Sequence, residues 1–508
     1  MSTSMDDQMP KNAGRLCPWG ILSALVAILM LIVPVSARAP DTLWTKTFGG
    51  GRTEWGYSVR QTTDGGFIVA GTTWSYGAGD CDIWLIKTDN QGNMLWNKTY
   101  GGPFLEMGHS VQQTFDGGYV IAGVTESFGS GDCDFYLVKT DSAGGMQWAR
   151  TYGGTASDVA FSVCQTADNG YILTGYTDSY GAGREDIYLV KVDANGDTAW
   201  TKTYGYESFD NGNDVIQTSD GGYVITGVID SSIQGADIPL IKTDATGQVI
   251  WARQYGGRYG DVAYAVKQTR DGGFIVAGWT DSYGAGKKDV FLIRTNSAGD
   301  TIFTRTFGFT GHDEAFDIQQ TDDDGFIAVG RTSWNVMDVY VIKTSGSGDS
   351  IWTKRIGGPQ RDDAFSVRQT TDGGYIITGL TESFGAGYYD VYLIRLAAES
   401  DIKEAANEAA SRREFIEISP NPFRGRTDIR CTIHESRCVG QKASLKICDA
   451  TGQVVRSFDP SASLGARRSL LFIWDGCDDR GNQLPVGVYF VRLKTGTQTY
   501  LKKVVKLR

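Results

Sequence analysis

DGGFIVAGTTWSYGAGDCDIWLIKTDNQGNMLWNKTYGG, running from Asp64 to Gly102, decides the architecture, because the chain says it again and again. A D-G-G-aromatic turn opens it and recurs at Asp64, Asp116, Asp168, Asp220, Asp271, Asp323 and Asp372, at steps of 52, 52, 52, 51, 52 and 49 residues. A Trp keeps the same rhythm at Trp44, Trp96, Trp148, Trp200, Trp251 and Trp352, with Phe303 in the sixth slot. Self-similarity at such a period is the signature of a repeat architecture.

Each repeat parses into four strands. In the first these are Tyr57–Gln61 (a), Phe67–Ala70 (b), Ile83–Lys87 (c) and Leu95–Thr99 (d), with turns at Asp64-Gly65-Gly66 and Asp89-Asn90-Gln91-Gly92. Val, Ile, Tyr, Phe, Trp and Thr fill the strands; Asp and Gly fill the turns, where they tolerate positive φ. Four antiparallel strands per unit make the blade of a β-propeller. The d strand around Trp44 precedes the first a strand, and the seventh repeat ends at Leu396 without a d strand. The expectation is therefore an all-β chain: a seven-bladed β-propeller over 38–396, closed by its N-terminal strand so that no sheet edge is left open.

The flanks read differently. Residues 1–37 form a signal peptide: Lys11 and Arg15, an apolar run from Ile21 to Val35, and a small-residue cleavage site ending at Ala37. That run is short for a membrane span, so no span is expected after cleavage. Residues 397–414 are a polar, Ala/Glu-rich linker. From Phe415 to Arg508 six β segments (429–433, 443–448, 453–458, 470–474, 487–493 and 501–507) suit an Ig-like β-sandwich. Cys431, Cys438, Cys448 and Cys477 cluster there, which makes one or two disulfides an expectation in an oxidising compartment. Net charge is −17 over 38–396 and +8 over 415–508; an acidic main domain argues against nucleic acid as a partner.

The tail carries S-P-N-P-F at Ser419–Phe423, D-A-T-G-Q-V-V at Asp449–Val455, W-D-G-C-D-D-R-G-N at Trp474–Asn482, P-V-G-V-Y-F-V-R-L at Pro485–Leu493 and a closing K-K-V-V-K-L-R. It resembles the C-terminal sorting domain of type IX secretion cargo and the related FlgD-type Ig-like modules. The resemblance implies a secreted or outer-surface protein whose tail is read by the secretion machinery. The propeller repeat, K-T-D-x-x-G-x-x-x-W, resembles the tryptophan-docking repeat of quinoprotein-like propellers. Their pyrroloquinoline quinone enzymes use Ca²⁺ and vicinal cysteines, and this chain has no adjacent Cys pair.

Three polar sets recur in every repeat. Carboxylates open the d–a loops from Glu54 to Asp362, a second set precedes each strand c from Asp82 to Asp390, and a Gln ends each strand a from Gln61 to Gln369. A residue present in every blade solves a problem every blade has, so these carboxylates are expected to accept backbone N–H bonds. Function is expected where the symmetry breaks. With strand a lining the channel, the d–a and b–c loops share one face, and the singular residues there are Trp55, Trp74, His109, Trp279, His312 and Trp334. Exposed aromatics stack on sugars or anchor protein partners, which points to a binding or scaffold module for a carbohydrate or protein ligand. The alternative is a polysaccharide- or peptide-cleaving enzyme using loop carboxylates. No catalytic residue, cofactor or metal ligand set is assigned; Ca²⁺ at Asp210-Asn211-Gly212-Asn213-Asp214 is possible by composition alone, since the full loop pattern is missing.

Overall fold

The computed structural model describes residues 39–230, 235–333, 336–399, 417–419, 421–432, 443–449, 452–458, 469–495 and 498–507. The expected signal peptide at 1–37, most of the expected linker, Trp334, His434 and Cys438 lie outside the described residues. No helix among the described residues is long and apolar enough to cross a membrane.

Seven four-stranded antiparallel sheets follow one another, each in the order a-b-c-d. Blade 1 is built from Glu54–Gln61, Phe67–Thr73, Asp82–Thr88 and Met94–Tyr100. Blade 7 takes Asp362–Gln369, Tyr375–Thr381 and Asp390–Leu396 from the last repeat and Thr42–Phe48 from the chain start, with Thr42 opposite Leu396 and Phe48 opposite Val391. The N-terminal strand thus closes the ring. Strand a packs against strand a of the next blade all the way round, so these strands line the axis. Strands b and c are buried along their whole length in blade 1, whereas strand d alternates and faces solvent.

Each blade is fastened to the next by the same devices. The strand-d Trp packs on the aromatic ring behind the following blade's D-G-G turn: Trp44 on Phe67 at 6.1 Å, Trp96 on Tyr119 at 6.0 Å, and so on to Trp352 on Tyr375 at 6.2 Å. The slot holding Trp44 is capped by Gly92 at φ +75, where a Cβ would meet the indole at 2.7 Å; only Gly fits on both counts. In two of the seven turns the positive-φ position is filled by Asn169 (φ 65) and Asp324 (φ 63), residues that tolerate this region better than other side chains do. The recurrent Gln does more than end a strand. Its Oε1 accepts the turn N–H of the preceding blade, from Thr63 to Gln113 (2.9 Å) round to the ring-closing bond from Thr371 to Gln61 (2.9 Å).

Both carboxylate sets bond backbone, as the repetition implies. Gly50 N–H donates to Glu54 (2.8 Å), Gly154 N–H to Asp158 (2.8 Å) and Gly358 N–H to Asp362 (2.8 Å). Ala78 N–H donates to Asp82 (2.9 Å) and Ser130 N–H to Asp134 (2.7 Å). A third set, the turn aspartates, holds the cation that ends each strand c, as in Lys87–Asp64 at 2.9 Å and Arg395–Asp372 at 2.5 Å.

These carboxylates pull stability in opposite directions with pH. Burial would raise Asp64, Asp116, Asp168 and Asp220, but hydrogen bonds from Thr, Lys and Gly N–H outweigh it and hold them down at about 2. Burial, with Asp158 close by, pushes Asp134 up to about 6, and Asp82, Asp289 and Asp390 shift the same way. A depressed carboxyl loses its contribution as pH falls from the unfolded value, 3.8, towards 2. A raised one binds its proton more tightly when folded, so stability grows as pH falls from about 6 towards 3.8. Thermal melts between pH 7 and pH 2 should therefore peak near pH 4 and drop steeply below it; a flat maximum at pH 7 would contradict this.

The tail contains two sheets. One orders Glu417–Ser419, Thr427–Thr432 and Ser469–Trp474; the other orders Val454–Phe458, Ala443–Cys448, Gly487–Thr495 and Gln498–Lys506. Both contribute to one core around Trp474, which Phe423 and Tyr489 flank at 5.1 and 5.3 Å. The expected disulfides are not formed among Cys431, Cys448 and Cys477, which are buried free thiols.

Candidate binding face

The channel mouth is built by the second residue of each strand a and its partner on strand b. The pairs are Trp55–Thr72, Met107–Val124, Val159–Tyr176, Asn211–Val228, Val262–Trp279, Glu314–Arg331 and Asp363–Leu380. Three of the pairs are wholly apolar, and Trp55–Thr72 and Asn211–Val228 join an apolar residue to a neutral polar one. Blades 6 and 7 place charges there instead.

These charges form a strip across blades 5, 6, 7 and 1. Lys288 Nζ lies 3.6 Å from the Trp279 ring centroid and 3.3 Å from Glu314. Arg331 joins Glu314 (2.7 Å) to Asp363 (3.5 Å), and Arg361 holds Asp363 from the other side (2.5 Å). Arg361 also lies 6.0 Å from the centre of the Tyr389 ring. Asp363 is completely buried and Glu314 is 2% exposed, while the side chains of Lys288, Arg331 and Arg361 keep 27, 22 and 35% of their surface. Solvent therefore meets the cations and not the carboxylates.

At the blade 7/blade 1 seam the strip opens into a cleft of about 340 Å³ lined by Arg52, Thr53, Trp55, Trp74, Tyr388 and Tyr389. Trp55 and Trp74 meet edge to face at 5.5 Å. Tyr388 is 76% exposed, and the Trp55 Nε1–H is buried without an acceptor. Arg52 is fixed from below by its Nη1 bond to Trp74 O (2.9 Å).

Of the residues singled out in the sequence, Trp55 and Trp74 come together here. Trp279 reaches the strip under Lys288, its indole N–H donating to Tyr264 Oη at 3.3 Å. His312 lies on the same face, where its N–H donates to Ser333 Oγ (2.6 Å). His109 does not belong to this surface. It stands inside the channel, its Nδ1 2.8 Å from Ala160 O, and burial lowers its pKa. It is one member of a ring of side chains, Tyr57, His109, Phe161, Asn213, Tyr264, Phe316 and Phe365, one from each strand a; Tyr57–His109 and Tyr264–Phe316 centroids are 5.1 and 5.0 Å apart. This ring lines the axis, and each of its members keeps some exposed surface.

The supposed Ca²⁺ stretch is no loop. Asp210–Gln217 is strand a of blade 4, with Asp210 bonded to Tyr206 N–H (2.5 Å), Asn213 to Ala263 O (2.7 Å) and Asp214 to Lys267 (2.6 Å), so its donors point in different directions. Lys288, Glu314, Arg331, Arg361, Asp363, Tyr388 and Tyr389 were missed by sequence reading. Comparing the second strand-a position across repeats would have found Glu314 and Asp363.

No protein-family model and no curated protein matches this chain. Among solved structures it is similar to PorZ, described as a bacterial surface component of the type-IX secretion system of Porphyromonas gingivalis, at 11% identity and TM-score 0.41, covering 91% of this chain and 60% of that one. It is also similar to the polysaccharide lyase Uly1 (10%, TM-score 0.40, 67% of this chain and 90% of that one) and to puromycin hydrolase (13%, TM-score 0.41, 76% and 59%). The chain thus spans less than two thirds of the length of the first and third of these. Likenesses this distant carry no weight for function, and the architecture rests on the blades themselves.

Proposed function

We propose that this is a secreted or surface-displayed binding propeller, exported through its C-terminal domain, that holds a carbohydrate in the cleft between blades 7 and 1. The cleft itself carries the reading: two indoles and two phenols around a space the size of a sugar residue or two, with the Arg52 guanidinium as polar anchor. Rings give stacking area at little entropic cost, and a few fixed donors give orientation. A protein ligand is the competing occupant. The cleaving-enzyme reading needs a carboxyl that reaches its substrate; at this mouth Glu314 and Asp363 are sealed beneath arginines. The S-P-N-P-F and closing K-K-V-V-K-L-R motifs support the export route.

The test is a glycan array followed by calorimetry on the mature chain. Trp74→Glu gives blade 1 the acidic residue that blades 2, 3, 5 and 7 carry at this position, so the fold is kept. It should weaken binding by about tenfold or more, as loss of a central aromatic anchor does. Tyr388→Ala should act in the same direction. A bound glycan indifferent to both changes, or an empty array, would sink the proposal.

A further inference from the structure

Below the aromatic ring, at the end of the channel facing the D-G-G turns, the strand-a residues on the axis are Arg60, Gln112, Cys164, Ile216, Lys267, Gln319 and Arg368. Two of the three cations have a carboxylate from the preceding blade. Asp214 of blade 4 binds Lys267 (2.6 Å) and accepts from Val266 N–H (3.0 Å). Asp317 of blade 6 binds Arg368 and accepts from Val367 N–H (3.0 Å) and Ser366 Oγ (3.1 Å). Arg60 of blade 1 has Ser366 in the same slot, whose Oγ meets Val59 N–H at 3.4 Å. Its Nη1 is used by Val59 O (2.8 Å) and Ser58 Oγ (3.3 Å); Nε and Nη2 have no protein acceptor among the described residues. Arg60 is thus the cation of this channel end with no carboxylate in ion-pair contact; Asp317 and Asp214 act on it only at longer range.

We infer that this end of the channel is a second ligand site, independent of the cleft at the mouth, in which Arg60 binds one oxyanion. The guanidinium fork matches a carboxylate or phosphate group in a way a lysine does not. The amide oxygens of Gln112 and Gln319, at the same strand position as Arg60, accept from Gln165 and Gln369 N–H (both 2.8 Å), which leaves their amide N–H groups as the donors available at this end of the channel. The charges around it are Arg60, Arg368 and Lys267 against Asp214 and Asp317, one positive charge in excess, and Cys164 is the remaining titratable group. Burial, then Arg368, brings the Arg60 guanidinium down to about 9, the direction expected of a cation waiting for an anion. The aromatic ring lies between this end of the channel and the mouth.

The probes are potassium phosphate, potassium acetate and potassium chloride at equal ionic strength, with thermal melts of the mature chain as readout. Phosphate or acetate should raise Tm saturably and chloride should not; a response to phosphate alone identifies a phosphoryl group, and to acetate alone a carboxylate. Arg60→Met should abolish the saturable shift. Ser366→Asp, which sets a carboxylate in the slot beside Arg60 at the loss of the Ser366 Oγ bond to Asp317, should abolish it as well. Trp74→Glu should leave it unchanged, which separates this site from the glycan cleft. A shift that survives in Arg60→Met or in Ser366→Asp, or no saturable shift with either oxyanion, would overturn the assignment.

Discussion

Deleting residues 38–48 should abolish cooperative unfolding and turn the protein into a self-associating one. The lost strand carries Trp44, which packs on Phe67, and Phe48, and it pairs with strand c of blade 7 from Leu396 to Val391. Removal of a docked Trp alone costs about 3–5 kcal/mol, and each ladder bond about 1 kcal/mol more. That sum rivals the whole stability of an ordinary domain, about 5–15 kcal/mol. It also bares Asp390–Leu396, a buried apolar strand, as an open edge. Calorimetry and light scattering check both effects. A monomer with a sharp transition would mean that six complete blades and one three-stranded blade are enough.

Asp363→Ala should destabilise by about 1–3 kcal/mol, because it removes the buried acceptor that Arg331 and Arg361 share and leaves the two cations, both within reach of solvent, with only Glu314 between them. The companion experiment is the informative one. Replacing Glu314, Arg331 and Asp363 together by Val, in keeping with Val262, Val124 and Val159 at these positions in other blades, should recover wild-type stability or exceed it, since apolar packing commonly outperforms a buried ionic network. If so, blades 6 and 7 keep these charges for what they bind and not for folding. Denaturant midpoints at constant m-value provide the measurement. A triple variant as unstable as Asp363→Ala would make the network a structural necessity.

The ring, its blade number and its closure were legible because they depend on period and on turn chemistry, which are properties of sequence order. The early position of Trp44, ahead of Tyr57 and the first strand a, was enough to assign the first strand to the last blade. What sequence reading could not supply was depth. His109 and Trp55 look equally singular in the chain, yet two residues along a strand separate the channel interior from the open mouth. The strip was hidden for a related reason: Asp363 and Arg361 read as ordinary loop charges, and only the twist of adjacent blades brings Arg331 between Glu314 and Asp363. The Gln set was noticed as recurrent, but its partner sits 50 residues away in the preceding blade, a distance no local pattern encodes.

The seam that closes the ring also sets which way the molecule looks. In six blades a short turn such as Asp89–Asn93 joins strand c to strand d; in blade 7 that turn is missing, and the chain instead arrives at Thr42 and departs at Leu396 side by side. Arrival and departure are both on the side of the D-G-G turns, whereas Trp55, Trp74 and Tyr388 belong to the d–a and b–c loops on the other. A propeller tethered by its tail would hold its tether at the back and its aromatic cleft outward, like a lamp fixed by its base.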